Sequence, residues 1–192
     1  MVPTIFTADI NDREKVLSVV LMGFSTDPFL RWICPEADNY LLFKEGFDAF
    51  GGKALETNTT YVAEGYKGTA LWLPPNTEAD EERFIKEVEK NVAPEKHEPL
   101  FKILEKMEEY HPSETCWYLP IIAVDPYCQN QGIGSLLMKH ALEKVDSDGL
   151  PAYLESSNPR NMSLYKRYGF ETMGQIQEED SPLIHPMIRE AR

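Results

Sequence analysis

Ile121-Ile122-Ala123-Val124-Asp125-Pro126-Tyr127-Cys128-Gln129-Asn130-Gln131-Gly132-Ile133-Gly134-Ser135 decides the fold. It opens as the end of an apolar run, Trp117 to Val124, that reads as a central strand buried on both faces. Pro126 stops that strand, a polar loop follows, and the pattern turns helical from Gln131 to Val145. Ile133, Leu137, Ala141 and Val145 fall on one side of this helix, and Ser135, Lys139 and Glu143 on another. The first turn of a helix carries backbone N–H groups without intrahelical partners, and its dipole favours negative charge. Glycines there let phosphates approach the backbone without meeting a Cβ, so Gly132 and Gly134 suit a pyrophosphate cradle. The same glycines suit close packing of a helix on a sheet equally well. No Gly-Lys-Ser/Thr follows, which excludes a Walker A loop, and the third glycine of a dinucleotide fingerprint is missing.

Downstream, Ala152 to Glu155 reads as a short strand and Asn161 to Tyr168 as a short helix ended by Gly169. Phe170 to Ile176 and His185 to Arg189 read as two more strands. Upstream, Thr4 to Ile10 suits a first strand, with Asn11 or Asp12 capping a helix that carries Val16, Leu17, Val20, Leu21 and Phe24. A second periodic stretch from Asp38 places Phe43, Phe47, Phe50 and Ala54 on one face. Thr59 to Ala63 and Thr69 to Leu73 flank a turn-rich link and predict a hairpin. Two charged amphipathic helices follow, one through Phe84, Ile85, Val88 and Val92, the other through Leu100, Leu104 and Met107. With no repeat and no low-complexity linker, the expectation is a single domain over 1–192, with 76–112 a helical insertion within it.

Composition limits what such a fold does. The 192 residues are 42% hydrophobic, enough for a real core, and carry a net charge of −13. Basic residues are interleaved with acid, as in Glu81-Glu82-Arg83, which speaks against a nucleic-acid partner. An acidic field steers cationic or amine-bearing molecules, and solvated acidic helix faces account for the charge as well. Cys34, Cys116 and Cys128 are too scattered for a disulfide framework, and His97, His111, His140 and His185 lack metal-site spacing, so no metal is expected. No apolar run nears the roughly 20 residues of a membrane span. Met1 to Phe6 turns polar by Asp9, without the apolar stretch of a signal peptide, so a cytoplasmic protein free of membrane contact is expected.

Gln129-x-x-Gly132-x-Gly134, after a strand ending Ala123-Val124-Asp125-Pro126, resembles the Q/R-x-x-G-x-G/A motif of the GNAT superfamily of N-acetyltransferases. Leu164-Tyr165-Lys166-Arg167-Tyr168-Gly169-Phe170 resembles its second signature, LYxxxGF. Leu154 to Asn161 followed by Tyr165, Phe24-x-x-Asp27-Pro28-x-x-x-Trp32, and Ala70 to Pro75 are similar to the branch containing puromycin N-acetyltransferase. The likeness is strong over Trp117–Phe170 and patchy before it.

This resemblance implies an α/β (α+β) fold: a mixed, mostly antiparallel sheet, flanked by helices and splayed between its fourth and fifth strands, Trp117–Val124 and Ala152–Glu155. It implies acetyl-coenzyme A as cofactor, with the pantetheine arm paired to the backbone of Ile122, Ala123 and Val124. The diphosphate would meet the N–H groups of Gln129, Asn130, Gln131, Gly132, Ile133, Gly134 and Ser135. Asn161 would contact the pantetheine, and Tyr165 would sit near the sulfur as general acid. Many family members carry a basic glutamate on the fourth strand. Here that strand has none, and Glu155 or Glu114 acting through water leaves the base unassigned. Phe29, Trp32, Trp72 and Tyr118 are candidate walls of a pocket for an apolar or aromatic amine, or ordinary core aromatics. The expected acceptor is a small-molecule amine. A protein or peptide amine, or a non-catalytic acyl-coenzyme A sensor, are the alternatives.

Overall fold

The computed structural model describes residues 3–192, and seven strands among them form one sheet. In chain order these are β1 (Ile5–Ala8), β2 (Thr60–Ala63), β3 (Gly68–Leu73), β4 (Trp117–Val124), β5 (Ala152–Ser156), β6 (Glu171–Thr172) and β7 (His185–Arg189). Their order across the sheet is β1-β2-β3-β4-β5-β7-β6. Every neighbouring pair is antiparallel except β4 and β5, which run parallel. The helices are α1 (Arg13–Phe24), α2 (Pro28–Ile33), α3 (Ala37–Leu42), α4 (Lys44–Gly51), α5 (Lys53–Glu56), α6 (Glu81–Asn91), α7 (His97–Tyr110), α8 (Ile133–Asp148) and α9 (Met162–Arg167). None of the described helices is long and apolar enough to cross a membrane.

Local chemistry explains the boundaries. Gly65 and Tyr66 both take positive φ and turn the β2–β3 hairpin. Asp27 caps α2 with Pro28 in its first turn, and Asp80 caps α6 by accepting from the Arg83 N–H at 3.2 Å. The periodic stretch after Asp38 is three short helices rather than one. Phe43 leaves helical geometry at ψ 4°, and its ring turns into the space that the absent side chain of Gly46 provides.

Helices cover both faces of the sheet. On one, Val16, Leu17 and Val20 of α1 and Phe47 of α4 pack against Leu71, Leu73, Ile121 and Ala123. On the other, Leu137, Met138, Ala141 and Val145 of α8 pack against Ala70, Trp72, Trp117 and Leu119. Arg13 of α1 and Arg83 of α6 both bond the nearly buried Asp48 of α4, tying three helices together. A carboxylate so placed needs its partners, since a buried charge left unpaired is costly.

Two irregularities shape the centre. Leu71 pairs with Ile121 but Leu73 pairs with Tyr118, so β4 holds one extra residue between them. This β-bulge admits Pro120 to a central strand, where its missing N–H would otherwise break the ladder. It also reverses the alternation: Trp117 and Leu119 face α8, whereas Ile121 and Ala123 face α1. The strand is therefore not buried on both faces throughout; Tyr118, Pro120, Ile122 and Val124 are half-buried. The second irregularity is the short pairing of β4 with β5, confined to Trp117↔Ala152 and Tyr118↔Tyr153. Beyond those rungs the strands separate.

The stretch Phe170 to Ile176 pairs with β7 at Glu171 and Thr172, and the Met173 N–H still bonds the Pro186 carbonyl at 2.9 Å. Gly174 then passes hard against the Tyr110 phenol, and the chain rejoins its neighbour in the single bridge Ile176↔Ile184.

Candidate active site

Where β4 and β5 part, two clefts lie side by side. The first, about 1230 Å³ and partly open to solvent, runs between the end of β4, the start of α8 and α9. The loop that enters α8 is held by its own side chains. Asp125 accepts from the Tyr127 N–H at 2.9 Å, Gln129 Nε2 donates to the Val124 carbonyl at 3.2 Å, and Gln131 Nε2 donates to the Tyr127 carbonyl at 3.0 Å. Asn130 and Gly132 both take left-handed φ, at 60° and 82°. The two glycines have separate tasks. A Cβ on Gly132 would meet nothing within 4 Å, so this glycine serves its backbone conformation in front of an open cleft. A Cβ on Gly134 would lie 3.2 Å from Leu164 Cδ2, so that glycine serves the packing of α8 on α9. The helix proper starts at Ile133, where Leu136 N–H already bonds the Gly132 carbonyl at 3.0 Å. Ile133, Gly134 and Ser135 therefore present the unpaired first-turn N–H groups.

The expected residues Ile122, Ala123, Val124, Gln129, Asn130, Gly132, Ile133, Gly134, Ser135, Asn161 and Tyr165 all line this cleft. Gln131 does not; its side chain braces the loop instead. Arg160 and Arg167, which the sequence reading passed over, line it as well and are exposed. Their signal was their position on either side of the Leu164-Tyr165 signature.

The second cleft, about 670 Å³ and also open on one side, lies against the α1–α4 face and is apolar. Phe24 borders both clefts, and Ile121 and Ser157 line this one where Ile122 and Asn158 line the other. Aromatic rings follow one another around it: Phe24–Phe47 at 5.4 Å, Phe47–Phe43 at 5.8 Å, Phe43–Phe84 at 6.0 Å, Phe84–Phe50 at 5.5 Å and Phe50–Tyr118 at 6.3 Å. The α7 residues Leu100, Leu104 and Met107 close another side. Among its described lining residues Glu155 is the one charged group. Burial pushes its carboxyl up to about 7, against the opposing hydrogen bond from Tyr118. Tyr118 Oη donates to Glu155 Oε2 at 2.7 Å.

Two further groups stand at the junction. Asp27 is buried, with Oδ1 accepting from the Phe29 and Leu30 N–H groups at 3.0 and 3.1 Å and Oδ2 accepting from Ser157 Oγ at 2.8 Å. Burial raises its pKa against those bonds. Tyr165 on α9 is buried too, and burial together with the nearby charge of Asp27 holds its phenol well above the ordinary tyrosine range.

Of the four candidate acceptor walls, Phe29 lines the apolar cleft. Trp32 stacks behind it at 5.8 Å and donates through Nε1 to Asp180 at 2.9 Å, with Lys96 Nζ 4.2 Å over its ring. Tyr118 stands behind Glu155. Trp72 is fully buried on the opposite, α8 side of the sheet and is no wall of this cleft. The phenylalanine ring was visible as Phe43, Phe47 and Phe50 at helical spacing, a pattern that core residues share.

Comparison with known proteins places this arrangement. The profile of the acetyltransferase (GNAT) domain matches residues 78–191. An uncharacterized N-acetyltransferase of Schizosaccharomyces pombe is 21% identical over 186 residues, covering 84% of this chain and 72% of that protein. The structure of a histone acetyltransferase HPA2 and related acetyltransferase from Corynebacterium glutamicum superposes with a TM-score of 0.73 at 26% identity, covering 100% of this chain and 98% of that one. Arylalkylamine N-acetyltransferase 2 from Aedes aegypti shares the fold at a TM-score of 0.69 and 15% identity, covering 98% and 99% of the two chains. With its splayed β4–β5 junction, its glycine-led α8 and a profile match over more than half its length, the chain belongs to the GNAT acetyltransferase family and is an acetyl-coenzyme A-dependent N-acetyltransferase.

Proposed function

We propose that the chain acetylates the primary amine of a small molecule with an apolar body, using Glu155 as the base. One observation carries this: an aromatic cleft, whose single charged lining group among the described residues is Glu155, lies beside the glycine-loop cleft and shares Phe24 with it where β4 and β5 part. Such a pocket accepts rings and alkyl chains and offers one counter-charge to an ammonium. A polyamine would leave its second ammonium among phenylalanines, and a peptide would leave its backbone polar groups unsatisfied. The similarity to the puromycin branch and the fold shared with an arylalkylamine enzyme support the same class.

Acetyl-coenzyme A fits the first cleft. The left-handed Gly132 faces open space, first-turn N–H groups of α8 and the cations Arg160 and Arg167 suit a diphosphate, and the unpaired edge of β4 suits the amides of a pantetheine arm. Bound there, it supplies the thioester carbon that accepts the amine and the sulfur that leaves. Glu155 takes the proton that the acceptor nitrogen must lose, directly or through one water. Backbone N–H groups beside Ile122, on the edge freed by the splay, stabilise charge developing on the carbonyl oxygen. Tyr165 hydrogen-bonds through its hydroxyl to the sulfur as that atom gains negative charge, and the departing thiolate takes its proton from solvent. Asp27 is a poorer base than Glu155, because both its oxygens are engaged in capping α2 and in the Ser157 bond.

Phe84 comes from α6 and Leu100, Leu104 and Met107 from α7, so the helical pair completes the acceptor cleft. That supports reading 1–192 as one domain with 76–112 as an insertion that walls the acceptor.

Filling the cleft tests the proposal. Leu104 is half-buried at its wall, so Leu104→Trp is expected to cut acetylation of phenethylamine at least about tenfold, at an overpacking cost of about 1–3 kcal/mol. Acetyl-coenzyme A should still raise the melting temperature of the variant as it does the wild type, by several degrees at 100-fold excess over Kd, equivalent to about 2.7 kcal/mol. Undiminished phenethylamine turnover in a folded variant would place the acceptor elsewhere.

A further inference from the structure

Glu155 lies two residues beyond the last rung that joins β4 to β5, on the same face as Tyr153. Tyr118, the β4 partner of Tyr153 on that rung, reaches along the diverging strands to bond the carboxylate at 2.7 Å. Its ring has little freedom: His111 stands edge-on at 5.2 Å, Phe50 edge-on at 6.3 Å and Tyr153 tilted at 5.9 Å. A phenylalanine would fill the same space and keep all three contacts. The hydroxyl therefore adds only one thing that packing does not require, a donor aimed at Glu155.

We propose that Tyr118 is a positioning residue for the reaction: its hydroxyl holds the Glu155 carboxylate at the wall of the acceptor cleft, in the ionised form that accepts the amine proton. This rests on the reading of Glu155 as the base. The groups around that carboxylate give the donor its weight. Glu108 of α7 opposes its charge, and Cys116, ahead of β4, is a buried thiol whose pKa is itself pushed up to about 11 by burial and by Glu155. His111, after α7, is held below its ordinary pKa by burial and brings no cation to help. β7 presents Pro186 opposite Glu155, which carries no charge. Tyr153 favours the carboxylate, yet among the described residues its buried hydroxyl has no well-formed hydrogen bond. Tyr118 is the one donor to Glu155 that comes from the neighbouring strand, and it is fixed before any ligand arrives.

The test is a carboxyl-detected NMR titration of protein labelled with ¹³C-glutamate, with the Glu155 resonance assigned by its loss in Glu155→Gln. In Tyr118→Phe the Glu155 midpoint is expected to move up by about one pH unit, the scale of a hydrogen bond to a charged group. The acidic limb of kcat/KM for phenethylamine should move with it, while the rate well above neutrality stays within about threefold of wild type. An unmoved midpoint, or a rate lowered equally at every pH, would make Tyr118 a packing residue and overturn the proposal. A shifted midpoint alongside undiminished turnover in Glu155→Gln would overturn it differently, by removing Glu155 from the chemistry.

Discussion

Glu155→Gln is expected to lower kcat/KM for an apolar primary amine by about 10²- to 10³-fold at neutral pH. The size follows from the proton that must be lost. An alkylammonium resembles lysine, with a reference pKa near 10.4, so only about one molecule in 10³ is neutral at pH 7. Glu155, with its carboxyl pushed up to about 7, is ionised above neutrality, and the apolar cleft that disfavours a buried ammonium brings the amine's pKa down toward it, so that the proposed transfer becomes accessible. Below that pH the carboxyl carries its own proton and cannot accept another, so wild-type kcat/KM should fall tenfold per unit on the acid side and level above it. The glutamine variant keeps the shape and accepts the Tyr118 hydrogen bond, but it takes no proton. It must wait for free amine from solution, so its kcat/KM should climb with pH and approach wild type near the pKa of the amine. A variant whose pH profile parallels that of wild type would remove Glu155 from the chemistry.

The second large effect is at Tyr165. Burial and the charge of Asp27 both hold its phenol above the ordinary range, so the hydroxyl keeps its proton at every working pH. Complete transfer to a thiolate whose conjugate acid lies near 8.5 is then uphill, and the contribution expected of Tyr165 under the proposed mechanism is a hydrogen bond to a sulfur gaining charge. Hydrogen bonds to charged groups contribute about 1.5–3 kcal/mol, so Tyr165→Phe should lower kcat about 10- to 100-fold. KM for acetyl-coenzyme A should stay within about threefold, since the interaction forms mainly in the transition state. A loss approaching 10⁴-fold would point to full proton transfer, and no loss would make Tyr165 part of the wall.

Much of this was legible in the chain and some was not, for identifiable reasons. Periods in most of the helices, the hairpin turn and the strand–loop–helix around Gly132 are local signals, and those elements formed where they pointed; the stretch after Asp38 broke into three helices where Phe43 leaves helical geometry. The bulge between Leu71 and Leu73 was not legible, because the apolar run Trp117–Val124 looks the same in either register. That one extra residue decides which side of the sheet each residue of β4 faces. Trp72 and Tyr118 looked alike as aromatics on neighbouring strands, and only the three-dimensional register places one under α8 and the other beside Glu155. Glu155 itself looked like a solvated glutamate at the end of a strand. Its burial depends on Tyr118 across the splay and on an apolar cleft built from α1, α2, α4, α6 and α7, none of which adjoins it in sequence.

The most direct measurement of the central claim is a competition assay under initial-rate conditions, with acetyl-coenzyme A and equimolar phenethylamine, spermidine and a lysine-containing peptide, and products separated by mass. Each methylene or ring placed in an apolar pocket contributes about 1–3 kcal/mol of discrimination, so phenethylamine should be acetylated at least about tenfold faster than either competitor. Preferential acetylation of spermidine or of the peptide would contradict an acceptor site built from the phenylalanine cleft and Glu155.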